Sequence, residues 1–111
     1  MEAISSALLL KALDGLSERA VATAQNIANA GTPGYRPLRL SFEGALKSAA
    51  NGGADAIQHV APAIEPLAAG GEVRPDLELA TASSTALRYG ALIEVLNREL
   101  QLNAVAITGN S

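Results

Sequence analysis

The sequence NIANAGTPGY at residues 26–35 decides the fold, because it ends a long helical pattern with a tight turn. Before it, apolar residues recur at spacings of three or four, which predicts one amphipathic helix over residues 1–30. Within it, Pro33 and Gly34 occupy the two central positions that a type II turn prefers. The stretch therefore predicts a helix end followed by a rigid turn.

The rest of the chain divides into three further segments of a single structural domain. Residues 31–48 form a turn and an extended motif segment, in which residues 38–42 alternate apolar and polar and a short helix follows. Residues 49–75 are rich in Ala, Gly and Pro and predict a flexible middle, with a short extended piece around residues 57–64. Residues 76–111 predict the C-terminal helix and its tail.

The two helical segments each carry an apolar stripe, and the stripes indicate how the helices pack. The expected fold is mainly α, with two long terminal helices pairing as an antiparallel coiled-coil-like hairpin around an extended or irregular middle. A register that places Ala28 opposite Leu77 also brings Gly15 opposite Gly90 and permits close approach there. The expected packing or assembly stripe comprises Leu9, Leu13, Leu16, Ala20, Ile27, Leu79, Ala86, Tyr89, Ile93, Leu96 and Leu100.

The composition indicates that this hairpin cannot bury its own stripes. Of the 111 residues, 23 are alanine, one is Phe and none is Trp, so large apolar side chains are scarce. Alanine favours helix but buries little apolar surface. Two helices leave part of each stripe exposed, and exposed apolar helix faces indicate binding to other protein chains.

The sequence offers little support for chemistry. There is no cysteine and a single histidine, His59, so we expect no metal, no cofactor and no catalytic site. The eight Lys and Arg are scattered in a chain of net charge −3, which argues against nucleic acid as a partner. We also expect no small-molecule substrate. The N-terminus lacks the basic start of a cleaved secretory signal, and no stretch approaches a membrane span.

Several motifs resemble the rod, hook and hook–filament axial proteins of the bacterial flagellum, and among them the proximal rod subunits. The resemblance is carried by Arg19, by the string Asn26-Ile27-Ala28-Asn29-Ala30 with Thr32-Pro33-Gly34-Tyr35, and by Phe42-Glu43. In the C-terminal half it is carried by Asp76-Leu77-Glu78, Ala86-Leu87-Arg88-Tyr89 and Leu96-Asn97-Arg98. The matching regions are about residues 10–45 and 75–102.

The resemblance implies a structural role. Such subunits are exported unfolded by the flagellar type III apparatus without a cleaved signal, and they assemble helically into the periplasmic rod of the basal body. The implied partners are other copies of the chain, other rod proteins, the ring adaptor protein and the export gate. The residues implied for loop contacts are Asn26, Asn29, Thr32, Pro33, Gly34, Tyr35 and Phe42.

Alternatives remain open at this point. Asn26 and Asn29 either end the helix by bonding nearby backbone or bond a neighbouring subunit. Tyr35 and Phe42 either pin the loop to the helices or fill a pocket on the next subunit. Tyr89 is expected to pack in the helix seam. An alternative function with the same exposed stripes is a cytoplasmic helical adaptor or chaperone-like binding module.

Overall fold

The computed structural model describes residues 3–67 and 71–109, with side chains through residue 104. It contains helix α1 (Ala3–Ala28), strand β1 (Leu38–Ser41), helix α2 (Glu43–Ala49), a 3-10 turn (Ala50–Gly52), helix α3 (Gly53–Gln58), strand β2 (Ala63–Pro66) and helix α4 (Pro75–Gly109). The long helices α1 and α4 pack side by side in an elongated molecule of 63 × 27 × 14 Å. The predicted fold class, two long helices with a short middle region, is confirmed.

The predicted turn after α1 is present. The backbone N–H of Tyr35 donates to the carbonyl of Thr32 at 3.2 Å, and Gly34 has a φ of +78°. A positive φ at this position is the mark of a type II turn and is strained for any residue with a Cβ atom. The turn delivers the chain into β1, which pairs antiparallel with β2. The paired residues run from Leu38 opposite Pro66 to Ser41 opposite Ala63.

The expectation of a flexible middle over residues 49–75 needs correction. Residues 50–58 form the 3-10 turn and α3, and residues 63–66 form β2, while residues 68–70 lie outside the described part. Ile57, expected in an extended piece, lies in α3 and is fully buried. Among the described residues of this stretch only Ile57 is a large apolar residue buried in the core, since β2 is exposed throughout and the 3-10 turn has no buried residue. One buried residue is too few to produce a detectable period. The buried core formed in this way comprises Ala7, Leu16, Leu40, Phe42, Leu46 and Ile57.

Helix α4 has the predicted heptad spacing, but it is rotated about its own axis. The least exposed positions include Glu78, Thr85, Leu92 and Glu99, which are seven apart and each lie one residue before a predicted seam position, whereas Ala82 and Leu96 between them are half-buried as the heptad predicts. One of the two rows of contact residues is thus moved by about 100° and the other is not, so the centre of the contact face shifts by roughly 50°. Several members of the predicted seam are consequently exposed, namely Leu79 at 58%, Ala86, Tyr89 at 38% and Leu100 at 56%, whereas Ile93 and Leu96 are half-buried.

Helix α1 shows a similar change along its length. Leu9, Leu13 and Leu16 are buried, but Ala20 is exposed and Ile27 is 37% exposed. In the second half of α1 the buried positions are Ala22, Thr23 and Asn26. The contact face therefore continues through polar residues, whose partners in the turn and β1 are described below.

The close approach expected where Gly15 lies opposite Gly90 is not seen at Gly90. A Cβ atom on Gly15 would lie 2.6 Å from the ring of Phe42, whereas a Cβ atom on Gly90 would have nothing within 4 Å. Gly15 therefore makes room for the aromatic ring that closes the core, and Gly90 is not needed for close packing. The antiparallel register itself is close to expectation, since Asn26 near the end of α1 bonds Glu78 near the start of α4.

Candidate protein-interaction site

Asn26 is the structural centre of the NIANAGTPGY motif. It is 2% exposed, and its amide makes four hydrogen bonds to three other parts of the chain. The amide nitrogen donates to the carbonyl of Leu38 at 2.9 Å and to the carboxylate of Glu78 at 3.1 Å. The amide oxygen accepts from the backbone N–H of Leu38 at 2.8 Å and from the hydroxyl of Tyr35 at 2.9 Å. One side chain thus ties α1 to the turn, to β1 and to α4.

The second asparagine of the motif has a local role. The amide nitrogen of Asn29 donates to the carbonyl of Gln25 at 2.9 Å. Its amide oxygen accepts from the hydroxyl of Thr32 at 3.1 Å, and its backbone carbonyl accepts from the N–H of Thr32 at 2.9 Å. These bonds satisfy backbone carbonyl groups that have no partner within the helix at its C-terminal end. Asn29 therefore matches the helix-ending alternative, and its side chain stays on the surface.

The alternatives for the two aromatic residues separate in the structure. Phe42 is 4% exposed and lies in the core, so the interpretation in which it fills a pocket on another chain is wrong for this residue. Tyr35 is half-buried and is held by its bond to Asn26, which fixes the turn on α1 and leaves part of the ring accessible.

A second polar cluster holds α2 against α1. The guanidinium of Arg19 donates to both carboxylate oxygens of Glu43, at 2.6 and 2.7 Å, and to the carbonyl of Leu40 at 3.0 Å. It also lies over the ring of Phe42, 4.9 Å from the centroid. Arg88 of α4 reaches the same carboxylate at 3.3 Å. The cluster joins three helices and one strand end around a single carboxylate.

The ion pair in this cluster shifts the pKa of its carboxyl group. The hydrogen bonds that the Arg19 side chain donates lower the pKa of Glu43 from 4.5 to about 2, against the opposing effect of burial. A bidentate arginine is a planar match for a carboxylate and holds it ionised. Glu43 is therefore charged throughout the neutral and mildly acidic range.

From the sequence, Arg19, Glu43 and Glu78 were interpreted only as residues that carry the resemblance. Their contacts link positions 24 and 52 residues apart along the chain. The available signal was that Arg19, Thr23 and Asn26 continue the spacing of Leu9, Leu13 and Leu16. A polar residue on an otherwise apolar helical stripe is expected to have a buried partner.

The exposed apolar residues of α1 and α4 lie on one side of the helix pair. On each helix, the residues that face the other helix define a contact line along its axis. Around the axis, Ala20 and Val21 of α1 lie on the same rotational side of this line as Leu79 and Ala86 do on α4. In an antiparallel pair, the second helix has both its chain direction and its contact direction reversed relative to the first. Rotation in the same direction therefore brings side chains of the two helices to the same side of the pair. We call this surface the two-helix face, and its exposed members are Leu10, Ala20, Val21, Ala24, Leu79, Ala86, Tyr89 and Leu100.

The middle region covers the opposite side of the helix pair. There, β1 runs beside α4 and forms a groove with Leu77, Thr81, Ser84 and Arg88. Nothing in the described part of the chain covers the two-helix face, since its leucines and valine remain more than half exposed. An exposed apolar surface of this kind is typical of a protein–protein contact.

The candidate metal-ligating side chains of the described residues are scattered. No group of three or more His, Cys, Asp or Glu in residues 3–67 and 71–109 could hold a metal ion. His59 is 77% exposed, and its Nδ1 lies 2.7 Å from the carbonyl of Asp55 one helical turn earlier.

Among the helices that the structure describes, none has the length and hydropathy to cross a membrane.

Comparison with known proteins adds no relative. No protein-family model, no curated protein and no solved structure matches the chain.

Proposed function

We propose that the chain is a structural subunit of the bacterial flagellar basal-body rod, of the proximal FlgB type. The observation that supports a structural subunit most directly is the two-helix face, an apolar surface built from both terminal helices that nothing in residues 3–67 and 71–109 covers. A subunit that assembles into a helical array needs such a surface in the free chain. The motif string at residues 26–35 supports the family, through the resemblance stated above.

The geometry of the motif supports different roles for its buried and its exposed residues. Asn26 is buried and fully bonded within the chain, so it positions the turn and does not contact another subunit. Thr32, Pro33 and Gly34 are exposed at the tip of that turn, and Tyr35 is partly accessible beside them. In the proposed rod, the turn is a rigid contact element and the two-helix face is the main packing surface. The proposed partners of the subunit are other copies of the chain, other rod proteins, the ring adaptor protein and the export gate.

Export is the property that separates this proposal from a cytoplasmic adaptor. The proposed subunit reaches the periplasmic rod through the flagellar type III apparatus, which recognises an N-terminal segment of an unfolded chain. Deletion of residues 1–25 is therefore expected to abolish export, measured as epitope-tagged protein in the periplasmic and culture fractions. An adaptor that stays in the cytoplasm would be absent from those fractions with or without the deletion.

Because that deletion also removes most of α1, it needs a control for loss of folding. Leu16→Asp places a charge at a core position that is 1% exposed and unfolds the chain while keeping the N-terminal segment. We expect Leu16→Asp to be exported and the deletion variant to be retained. Retention of both variants, or detection of the intact chain only in the cytoplasm, would refute the proposed route.

A further inference from the structure

A groove of about 700 Å³ separates β1 from α4 on the side opposite the two-helix face. Its walls are Leu38–Ser41 of β1 and the stretch of α4 from Leu77 to Arg88. The α4 wall presents Leu77, Thr81, Ser84 and Arg88 at spacings of four, three and four. The two central residues are small and hydroxylated, so a second helix could approach closely at the middle of this wall.

The end of the groove near Arg88 is positively charged. Arg19 and Arg88 lie there, and both reach the carboxylate of Glu43, at 2.6 and 3.3 Å. Arg39, farther along the β1 wall, lies opposite Glu65 of β2. Two arginines share one carboxylate, so one positive charge at this end is uncompensated.

The other end of the groove is negatively charged by the same amount. Glu72, Asp76 and Glu78 lie at or beside it, accompanied by Arg74, which pairs with Asp76 at 3.0 Å. Glu78 is already bonded to Asn26, whose amide is neutral and does not offset the carboxylate charge. Arg36 lines the adjoining pocket together with Glu72, so three carboxylates meet two arginines at this end. One negative charge is therefore uncompensated, about 18 Å along α4 from Arg88.

From this charge order we infer that the groove is the contact surface of a two-fold symmetric dimer of the chain. Two copies of α4 would cross antiparallel at Thr81 and Ser84, because a two-fold axis there brings Arg88 of each copy beside Asp76 of the other. In such an interface the same patch serves both molecules. The spacing favours this dimer, because reversing the direction of the helix exchanges position 77 with position 88 and position 81 with position 84.

The physical character of this contact follows from its exposure. The side chains of Arg88 and Asp76 are 51% and 65% exposed. Their pairing therefore adds little affinity, but it fixes how the two copies are oriented relative to each other. The apolar contribution is small and comes mainly from Leu77. The dimer is therefore weak, and it dissociates as salt rises. This contact does not depend on rod assembly, because it uses the side of the molecule opposite the two-helix face.

Charge reversal combined with mixing tests the symmetry directly. Arg88→Glu gives a copy with a carboxylate at both position 76 and position 88, and Asp76→Arg gives a copy with an arginine at both positions. Each variant alone is expected to weaken the dimer at least about tenfold in sedimentation velocity at low ionic strength. An equimolar mixture of the two is expected to dimerise again, since every facing pair is then of opposite sign. Recovery on mixing requires both variants to be folded.

The matched control is Arg98→Glu, which reverses an exposed arginine on the same helix outside the groove. It is expected to dimerise as the wild-type chain does. A wild-type chain that stays monomeric at low salt would overturn the inference. So would a dimer that persists at about 0.5 M salt and in both variants, because this would place the contact on the apolar two-helix face. Absence of recovery on mixing would overturn the two-fold arrangement.

Discussion

At the scale of single residues, Asn26 shows why the motif needs an amide. An asparagine side chain offers two N–H donors and an oxygen with two lone pairs, and here all four are used. A carboxylate at this position would lose both donors, and an apolar residue would leave the backbone of Leu38 and the hydroxyl of Tyr35 without partners. Buried polar groups left in this way are costly because water cannot replace the lost bonds.

Asn26→Ala is therefore expected to lower the free energy of unfolding by about 2–4 kcal/mol, since several buried groups lose their partners at once. Asn29→Ala serves as the matched control, because Asn29 is on the surface and its bonds are local. We expect it to cost about 1 kcal/mol or less. Urea unfolding followed by circular dichroism measures both values. Equal costs for the two variants would contradict the central position of Asn26.

Glu43 gives the second prediction at this scale, a dependence of stability on pH. Its pKa is lowered in the folded chain from 4.5 to about 2, so its stabilising effect is present above pH 4.5 and is lost as the pH falls toward 2. The side chain is 44% exposed, and solvent screening limits the effect to about 1 kcal/mol.

Replacing Glu43 with Gln should remove this contribution at neutral pH and flatten the stability profile in the acidic window. Urea midpoints at about pH 6, 4 and 3 test the change. If the profiles of the wild-type chain and Glu43→Gln ran parallel through that window, the bidentate pair with Arg19 would not be the source of the acid sensitivity.

At the scale of elements, the position of Phe42 against α1 explains a glycine in a helix. Gly15 costs up to about 1 kcal/mol against alanine in a helix interior, and the sequence alone marks it as a defect. The ring of Phe42 occupies the space that a Cβ atom would need. The glycine therefore permits α2 and β1 to close over α1.

Two alanine substitutions separate helix propensity from this packing. Gly15→Ala is expected to destabilise the chain, because its Cβ would lie 2.6 Å from a buried ring. Gly90→Ala lies in mid-helix with nothing within 4 Å, so it is expected to raise the free energy of unfolding by up to about 1 kcal/mol. Thermal unfolding of the pair measures the difference. Stabilisation by Gly15→Ala would show that Phe42 does not occupy this position.

The elements also show what the sequence can predict. The period of α4 could be read from its leucines, but its rotation is set by Glu78, Thr85 and other polar residues that face α1. Hydrophobic patterning assigns the apolar residues to the internal seam, and in this chain many of them form the external surface. The short elements at residues 50–66 escape prediction because, in the described part of this stretch, Ile57 alone is buried in the core. The turn at Pro33 and Gly34 is predictable because its chemistry is local.

At the scale of the whole molecule, α1 is the central element. The middle region packs on one side of it and α4 on another, and in the described part α4 contributes only Leu92 to the core. The long C-terminal helix therefore adds little to the internal core and much to the apolar exterior. This imbalance is the physical reason that the chain is expected to be completed by other protein chains.

The most direct test of this account is the incorporation of two leucine variants into the flagellar basal body. Leu79→Asp places a charge on the two-helix face, where the leucine is 58% exposed, and Leu87→Asp places it elsewhere on α4, where the leucine is 75% exposed. Both variants should fold and be exported, since neither side chain is buried. We expect Leu79→Asp to be missing from purified basal bodies and to abolish motility, and Leu87→Asp to be incorporated as the wild-type chain is. Normal incorporation of Leu79→Asp would contradict assembly through the two-helix face.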